Sequence, residues 1–154
     1  MRWLVLAAAL AAAPGPLQLP VRTTCISSPF GPRRLVGPHA ATMHYGIDLP
    51  APAGAHVHAA AAGTVRAIRH LGADGLEIDL LHKIPHGGNF VTRYAHLGSI
   101  APRLAEGQRQ VAAGQWIGVV GRSGITYGPH LHFEVHIAGH PVDPAPFFHL
   151  KLCR

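Results

Sequence analysis

The sequence has few charged and aromatic residues and no long apolar run. Charged residues make up 13% of the chain and aromatic residues 6%. The longest apolar run, residues 3–13, is too short to cross a bilayer as a helix, which takes about 20 residues. Long amphipathic helical patterns are also missing. The 18 glycines and 14 prolines instead favour short strands joined by tight turns.

Cysteine is scarce, with two residues near the two ends of the chain. Two thiols cannot supply the closed, cysteine-rich ligand set that is typical of structural zinc. In an oxidising compartment Cys25 and Cys153 could pair, and closing so long a loop stabilises by about 4 to 5 kcal/mol in the chain-entropy model. Two unrelated thiols are the alternative. Cys25 follows VRTT rather than an apolar run, so a lipid-anchored cysteine is not expected.

The net charge is +6, from 13 Lys and Arg against 7 Asp and Glu. The basic residues are scattered and no basic-aromatic motif accompanies them, so we expect no nucleic-acid partner. The same field would attract another anionic polymer. Charge alone does not choose between these partners.

The N-terminus, MRWLVLAAALAAAPGP, has one Arg, eleven apolar residues and then turn formers. This pattern predicts a secretory signal peptide over residues 1–20 and export of the protein, with no stable insertion in the membrane. The cleavage point is open, because Pro14 directly follows the small-residue triplet 11–13; an uncleaved leader is the alternative. Residues 21–154 contain no repeat and no low-complexity linker, which predicts a single domain.

Several segments have the period-two alternation of half-buried strands: HYGIDLPAP, GTVRAIRH, LEIDLLHK, NFVTRYAHL and GPHLHFEVHI. Gly-rich breaks separate them. The fold class is therefore predicted to be all-β, a compact sandwich-like or barrel-like domain of short antiparallel strands. In HYGIDLPAP we expect Tyr45 to point the same way as Ile47 and Leu49. In NFVTRYAHL we expect Thr92 and Tyr94 to share a face with His96.

The last clear strand, GPHLHFEVHI, carries polar residues at every second position. Leu131 and Phe133 fall on the apolar face, and His130, His132 and Glu134 on the other. The segment HYGID carries His44 and Asp48 four residues apart, which an extended chain places on one face. Imidazole and carboxylate are donors that zinc accepts, and three such ligands leave the fourth position that catalytic zinc keeps open. On spacing alone, a polar strand face of solvated or internally bonded histidines is favoured over a metal site.

The order of the motifs resembles the lysostaphin- and LytM-type zinc metallopeptidases, endopeptidases of the bacterial cell wall with the duplicated hybrid motif fold. The resemblance runs from SSPFGPR through HYGIDLPAPAG, AAAAGTV, RYAHL and GQWIGVVGRSG to GPHLHFEV and PVDP, over about residues 26–145. It implies one zinc ion per chain, with His44, Asp48 and His132 as its ligands. It also implies that His96 and His130 are the catalytic pair.

The resemblance implies hydrolysis of a peptide bond in peptidoglycan cross-links, with the peptide stems as the partner, outside the cytoplasm. A neutral histidine can take and return a proton near neutral pH. We expect His130 to be the general base and His96 to hydrogen-bond the water or the oxyanion, although the sequence does not settle this division.

Two other functions are open alternatives. The first is a non-catalytic wall-binding or amidase-activating module. The loss of one or more metal ligands would indicate such a module, and this sequence has lost none. The second is a biotinyl-type or lipoyl-type carrier, suggested by the cadence of GQRQVAAGQWIG, but no lysine lies at a hairpin tip.

Other residues near these motifs have simpler interpretations. His56 and His58 form a second H-x-H, which we expect at the surface. Glu134 is expected either to accept a hydrogen bond from a site histidine or to be solvated. His136 is expected at the surface or beside the ligands. Trp116 and Phe133 are expected in the core.

Overall fold

The structure, a computed structural model, describes residues 14–33 and 42–154. Within those ranges the chain is built from short strands, one single-turn α-helix and one 3-10 turn. In chain order the elements are β1 Cys25–Ile26, β2 Gly31–Pro32, β3 Met43–His44, β4 Ile47–Pro50, β5 His56–His58, β6 Gly63–Leu71, β7 Gly75–Lys83, β8 Asn89–Ile100, α1 Pro102–Ala105, β9 Gln110–Val111, β10 Trp116–Val120, β11 His130–Ile137, β12 His140–Val142, the 3-10 turn Ala145–Phe147 and β13 Lys151–Leu152.

Nine strands form one antiparallel sheet with the order β12-β11-β8-β7-β6-β9. β4 joins this sheet through β11, and β10 joins it through β8 and in turn pairs with β5. The small pair β2–β3 is antiparallel as well. The predicted all-β antiparallel fold is therefore confirmed.

The alternation predicted for β11 is the alternation observed. Leu131, Phe133 and Val135 have no exposed surface and lie in the hydrophobic core. Phe133 packs edge-to-face on Tyr94 of the neighbouring β8, with ring centroids 5.3 Å apart. Ile47 of β4 belongs to the same core. Burying these side chains fixes which face of β11 is left for its histidines.

Two predictions for individual residues are wrong. Tyr45 does not join Ile47 and Leu49, because the chain leaves the strand conformation at Tyr45–Gly46 between β3 and β4; its side chain is 50% exposed. Trp116 is not in the core, since its side chain lies on the outer face and stacks on the exposed His56 at 4.7 Å between centroids. Phe133 is buried as predicted.

The predicted alternation along β8 is also wrong. Thr92 and Tyr94 are fully buried on the core side, where the Thr92 hydroxyl lies 3.0 Å from the Tyr94 hydroxyl and 2.7 Å from Nε2 of the buried His82. Strict alternation would send His96 to the same side. A β-bulge prevents this. Leu76 of β7 pairs with Leu97 and Ile78 pairs with Tyr94, so β8 has one residue more than β7 between these two pairs. At the bulge His96 adopts a left-handed φ of 59°, and its side chain turns to the other face.

The two cysteines form a disulfide, with Cα atoms 5.0 Å apart across 128 positions. It lies beside a parallel pairing of β1 with β13, and the Cys153 N–H donates to the Ile26 carbonyl at 2.9 Å. The predicted pairing is confirmed in the structure.

The predicted signal peptide lies largely outside the described residues, since residues 1–13 are not described. Of its last residues, Leu17 is buried and the Gln18 N–H donates to the Ala60 carbonyl at 2.8 Å. Processing at residue 20 stays a prediction. In residues 14–33 and 42–154, no helix has the length and apolar character needed to cross a bilayer.

Candidate metal centre

Three predicted ligands meet at the edge of the sheet. His44 Nε2 lies 3.1 Å from Asp48 Oδ1 and 3.0 Å from His132 Nδ1, and His132 Nδ1 lies 3.0 Å from the same Asp48 oxygen. All three residues are buried. Four ligands at about 2.0 to 2.1 Å from zinc in a tetrahedron are about 3.3 Å apart. The triangle therefore has nearly the size that one zinc ion requires.

Sheet pairing and one glycine produce this convergence. β11 pairs with β4 in the register that sets His132 opposite Asp48. His44 reaches the same point because the chain turns at Tyr45–Gly46. A Cβ on Gly46 would lie 2.3 Å from the Phe133 carbonyl oxygen and 3.0 Å from His132 Cε1. Only glycine allows this turn to lie so close to β11.

The second nitrogen of each imidazole ligand is occupied. His44 Nδ1 lies 2.7 Å from the Pro29 carbonyl oxygen, which accepts only, so Nδ1 carries the proton. His132 Nε2 lies 2.8 Å from Glu134 Oε1 and donates to it. Both rings therefore turn the other nitrogen into the triangle, where its lone pair can bind a metal once no proton is held there.

Asp48 is held as an ionised, single-oxygen donor. Its Oδ2 accepts from Arg33 Nη2 at 3.2 Å, which leaves Oδ1 in the triangle. Burial alone would raise the pKa of this carboxyl, but its contacts with the rings of His130, His132 and His44 outweigh burial and hold the pKa well below its usual range.

The predicted catalytic histidines lie beside the triangle. The His96 and His130 rings contact edge-to-face at 4.9 Å between centroids, and His96 is 5.8 Å from the His132 ring. His130 Nε2 lies 3.5 Å from Asp48 Oδ1. The structure therefore brings all five predicted site residues together.

Both of these histidines present an unprotonated Nε2 in the neutral state. His96 Nδ1 donates to the Ser123 carbonyl at 2.8 Å, and His130 Nδ1 donates to the Gly128 carbonyl at 2.9 Å. Burial, together with the nearby His130, lowers the pKa of His96 to about 4. His96 is thus neutral at pH 7 and its Nε2 accepts hydrogen bonds.

An open groove of about 890 Å³ runs past these side chains. Its lining includes Arg33, Tyr45, Ile125 and Tyr127. Three of them, Tyr45, Ile125 and Tyr127, are large exposed apolar residues. An extended peptide can therefore lie across the triangle, with apolar side chains on the groove's walls.

The other histidines and the glutamate near these motifs lie at different distances from the triangle. His56 is exposed and His58 half-buried, away from the triangle. Glu134 accepts from His132, which confirms the first of its two interpretations, and His136 contacts Glu134. The sequence did not predict the ion pair of Arg93 with Asp79 behind Glu134, because that pair depends on how the strands align with one another.

Comparisons with known proteins agree with this geometry. The model of peptidase family M23 matches residues 42–144. The chain is 39% identical over 125 residues to the DD-carboxypeptidase/endopeptidase Mpg of Neisseria meningitidis serogroup B, covering 81% of this chain and 27% of that protein. The chain spans roughly a quarter of the length of the curated relatives it matches.

Solved structures match as well. A zinc-containing peptidase from Vibrio cholerae has a TM-score of 0.69 at 31% identity, over 84% of this chain and 39% of that chain. The catalytic domain of lysostaphin from Staphylococcus simulans has a TM-score of 0.66 at 28% identity, over 79% of this chain and 90% of that chain. With most of its length matched by the family model, the chain belongs to peptidase family M23.

Proposed function

We propose that this protein is a zinc endopeptidase that hydrolyses the peptide cross-links of peptidoglycan, with one zinc ion held by His44, Asp48 and His132. The observation that carries this proposal is the triangle of three buried donor atoms, each about 3 Å from the others, beside two histidines that open on the groove. Three ligands and an accessible fourth position are typical of catalytic zinc.

His130 and His96 have different tasks in the proposed reaction. Bound zinc would polarise the scissile carbonyl and lower the pKa of a water. His130 Nε2 accepts the proton of the attacking water and returns it to the leaving amine, because its Nδ1 is fixed on the Gly128 carbonyl. His96 Nε2 is also an acceptor, so His96 orients the water rather than donating to the oxyanion.

The relatives and the charge support the proposed substrate. The peptidoglycan DD-endopeptidase ShyA of Vibrio cholerae is 38% identical over 77% of this chain and 26% of that protein. This supports a D,D-cross-link of the peptide stems as the bond that is cleaved. The net charge of +6 would draw the enzyme to an anionic wall polymer.

The location we propose is the periplasm or the exterior, reached by the N-terminal signal. The disulfide indicates an oxidising compartment, and the wall-acting relatives point outside the cytoplasm as well. The non-catalytic module is the weaker candidate, because it would be expected to have lost ligands and all five site residues are in place.

The test measures bound zinc per chain and release of cleaved peptides from purified cross-linked peptidoglycan. We expect about one zinc and cleavage for the wild type, and neither for His132→Ala. His140→Gln is the matched control, since His140 is exposed on β12. Zinc without cleavage would support the binding-module function, and a wild type that binds no zinc would refute the proposal.

A further inference from the structure

Glu134 is a buried carboxylate between two histidines of its own strand. Its Oε1 accepts from His132 Nε2 at 2.8 Å and its Oε2 accepts from His136 Nε2. The residue is 5% exposed. The three side chains come from alternate positions of β11 and therefore share one face. The carboxylate links a ligand of the triangle to a histidine that is not part of it.

A third contact comes from the neighbouring strand. Arg93 of β8 lies opposite Glu134 in the sheet register, and its Nη1 is 3.7 Å from Glu134 Oε2. Arg93 is itself fixed by Asp79 of β7, at 2.8 Å from Nε and 3.2 Å from Nη2. Asp79 also accepts from Arg69 of β6 at 2.6 Å. The orientation of Glu134 is thus set by contacts that extend over four strands.

The carboxylate decides two properties of the His132 ring. Accepting from Nε2 keeps a proton on that nitrogen, so that Nδ1 is the nitrogen left to bind a metal in the triangle. It also fixes the rotation of the ring about χ2, because Nε2 reaches the buried Glu134 oxygen at only one value of that angle. A carboxylate that accepts a hydrogen bond from the far nitrogen makes the imidazole a stronger donor to a metal.

We propose that Glu134 is the positioning residue for His132 and that His136 holds Glu134 in place, so that these two side chains set the zinc affinity of the site. This inference rests on the proposed function for the presence of zinc. It assigns His136, a residue outside the triangle and the catalytic pair, to the metal site through a carboxylate. Neither Glu134 nor His136 contacts the substrate in this role.

The experiment measures the zinc dissociation constant of the full chain by competition with a chromophoric chelator, and the unfolding temperature of the zinc-free chain. The variants are Glu134→Gln, which keeps the shape and removes the charge, and His136→Gln. His140→Gln is the control, because it makes the same substitution on the adjacent β12, where no hydrogen bond to Glu134 exists in the described structure. Absorption of the cobalt-substituted site reports the ligand geometry directly.

For Glu134→Gln we expect the zinc dissociation constant to rise roughly 10- to 100-fold and the cobalt spectrum to change. A smaller rise is expected for His136→Gln and none for His140→Gln. A merely structural Glu134 would lower the unfolding temperature and leave the dissociation constant unchanged, which would overturn the inference.

If Glu134→Gln does not fold, His136→Gln carries the test, because the side chain of His136 is 22% exposed and its loss opens no core cavity. An unchanged dissociation constant for that variant would likewise refute the role. A wild type that binds no zinc would instead remove the proposed function itself.

Discussion

The turn between the first two donors gives a sharp prediction, because replacing Gly46 by Ala adds one methyl group at the metal centre. That methyl would lie 2.3 Å from the Phe133 carbonyl oxygen, 2.9 Å from Glu134 Cγ and 3.0 Å from His132 Cε1. Real contacts of this kind do not fall below 3.0 Å, so the turn and β11 must separate by about 0.7 Å. The neighbour is backbone of a fully buried strand and cannot rotate away.

The separation acts on both stability and metal binding. Forced overpacking of this kind costs about 1 to 3 kcal/mol, which lowers the unfolding temperature by a few degrees to about 10 °C in a domain of this length. Because His44 and His132 lie on the two parts that separate, the triangle widens beyond the tolerance of about 0.5 Å that a functional site allows. We expect zinc affinity and peptide cleavage to fall by on the order of 100-fold.

Zinc titration, thermal unfolding and cleavage of cross-linked peptidoglycan would be measured for Gly46→Ala and for Ala113→Ser. Ala113 is the control, since it is exposed in a turn away from the metal centre and its variant likewise adds one heavy atom. Ala113→Ser should match the wild type in all three assays. Wild-type zinc affinity in Gly46→Ala would refute the reasoning, because the close approach of the turn would then not determine the position of the ligands.

Three further predictions concern catalysis, the disulfide and pH. His96→Ala and His130→Ala should each retain zinc and lose about 10²- to 10⁴-fold in kcat; loss of zinc in either variant would make that residue a ligand instead. Breaking the bond with Cys25→Ser, paired with Cys153→Ser, should lower the free energy of unfolding in urea by about 5 kcal/mol at most, and reductant should then have no further effect. Burial lowers the pKa of His82 below the 6.5 of a free imidazole, so the unfolded chain binds the proton more readily and stability is lost as the pH falls below about 6.5. His82→Gln should flatten that part of the curve of unfolding temperature against pH, and an equally steep curve would show that other groups cause the loss.

The face of β11 was predictable from sequence because it depends on alternation alone. Leu131, Phe133 and Val135 are apolar without interruption, and burying them leaves one place for His130 and His132. The two metal donors of HYGID, His44 and Asp48, were also predictable, because imidazole and carboxylate are groups that bind zinc. Their geometry was not, because it comes from a turn at Gly46 against β11, a contact between segments far apart in the chain.

β8 shows why a correct residue can be reached by a wrong route. Polar side chains suggested that Thr92 and Tyr94 face the groove, but inside the core Thr92 bonds to both Tyr94 and His82. His96 reaches the groove only because Ala95 and His96 together oppose Glu77 at the bulge. A bulge is a property of two paired strands, so the sequence of one strand cannot reveal it. The prediction that Trp116 lies in the core was wrong for a related reason, because an apolar side chain alone does not show which face of β10 it occupies.

The backbone at His96 has a consequence for how this site can change over time. A φ of 59° disfavours most L-residues by about 1 to 2 kcal/mol, whereas glycine adopts it freely and asparagine with little resistance. Selection for a more stable chain and selection for an imidazole therefore oppose each other at this position. In a lineage that no longer needed the reaction, glycine or asparagine would be the favoured replacement here.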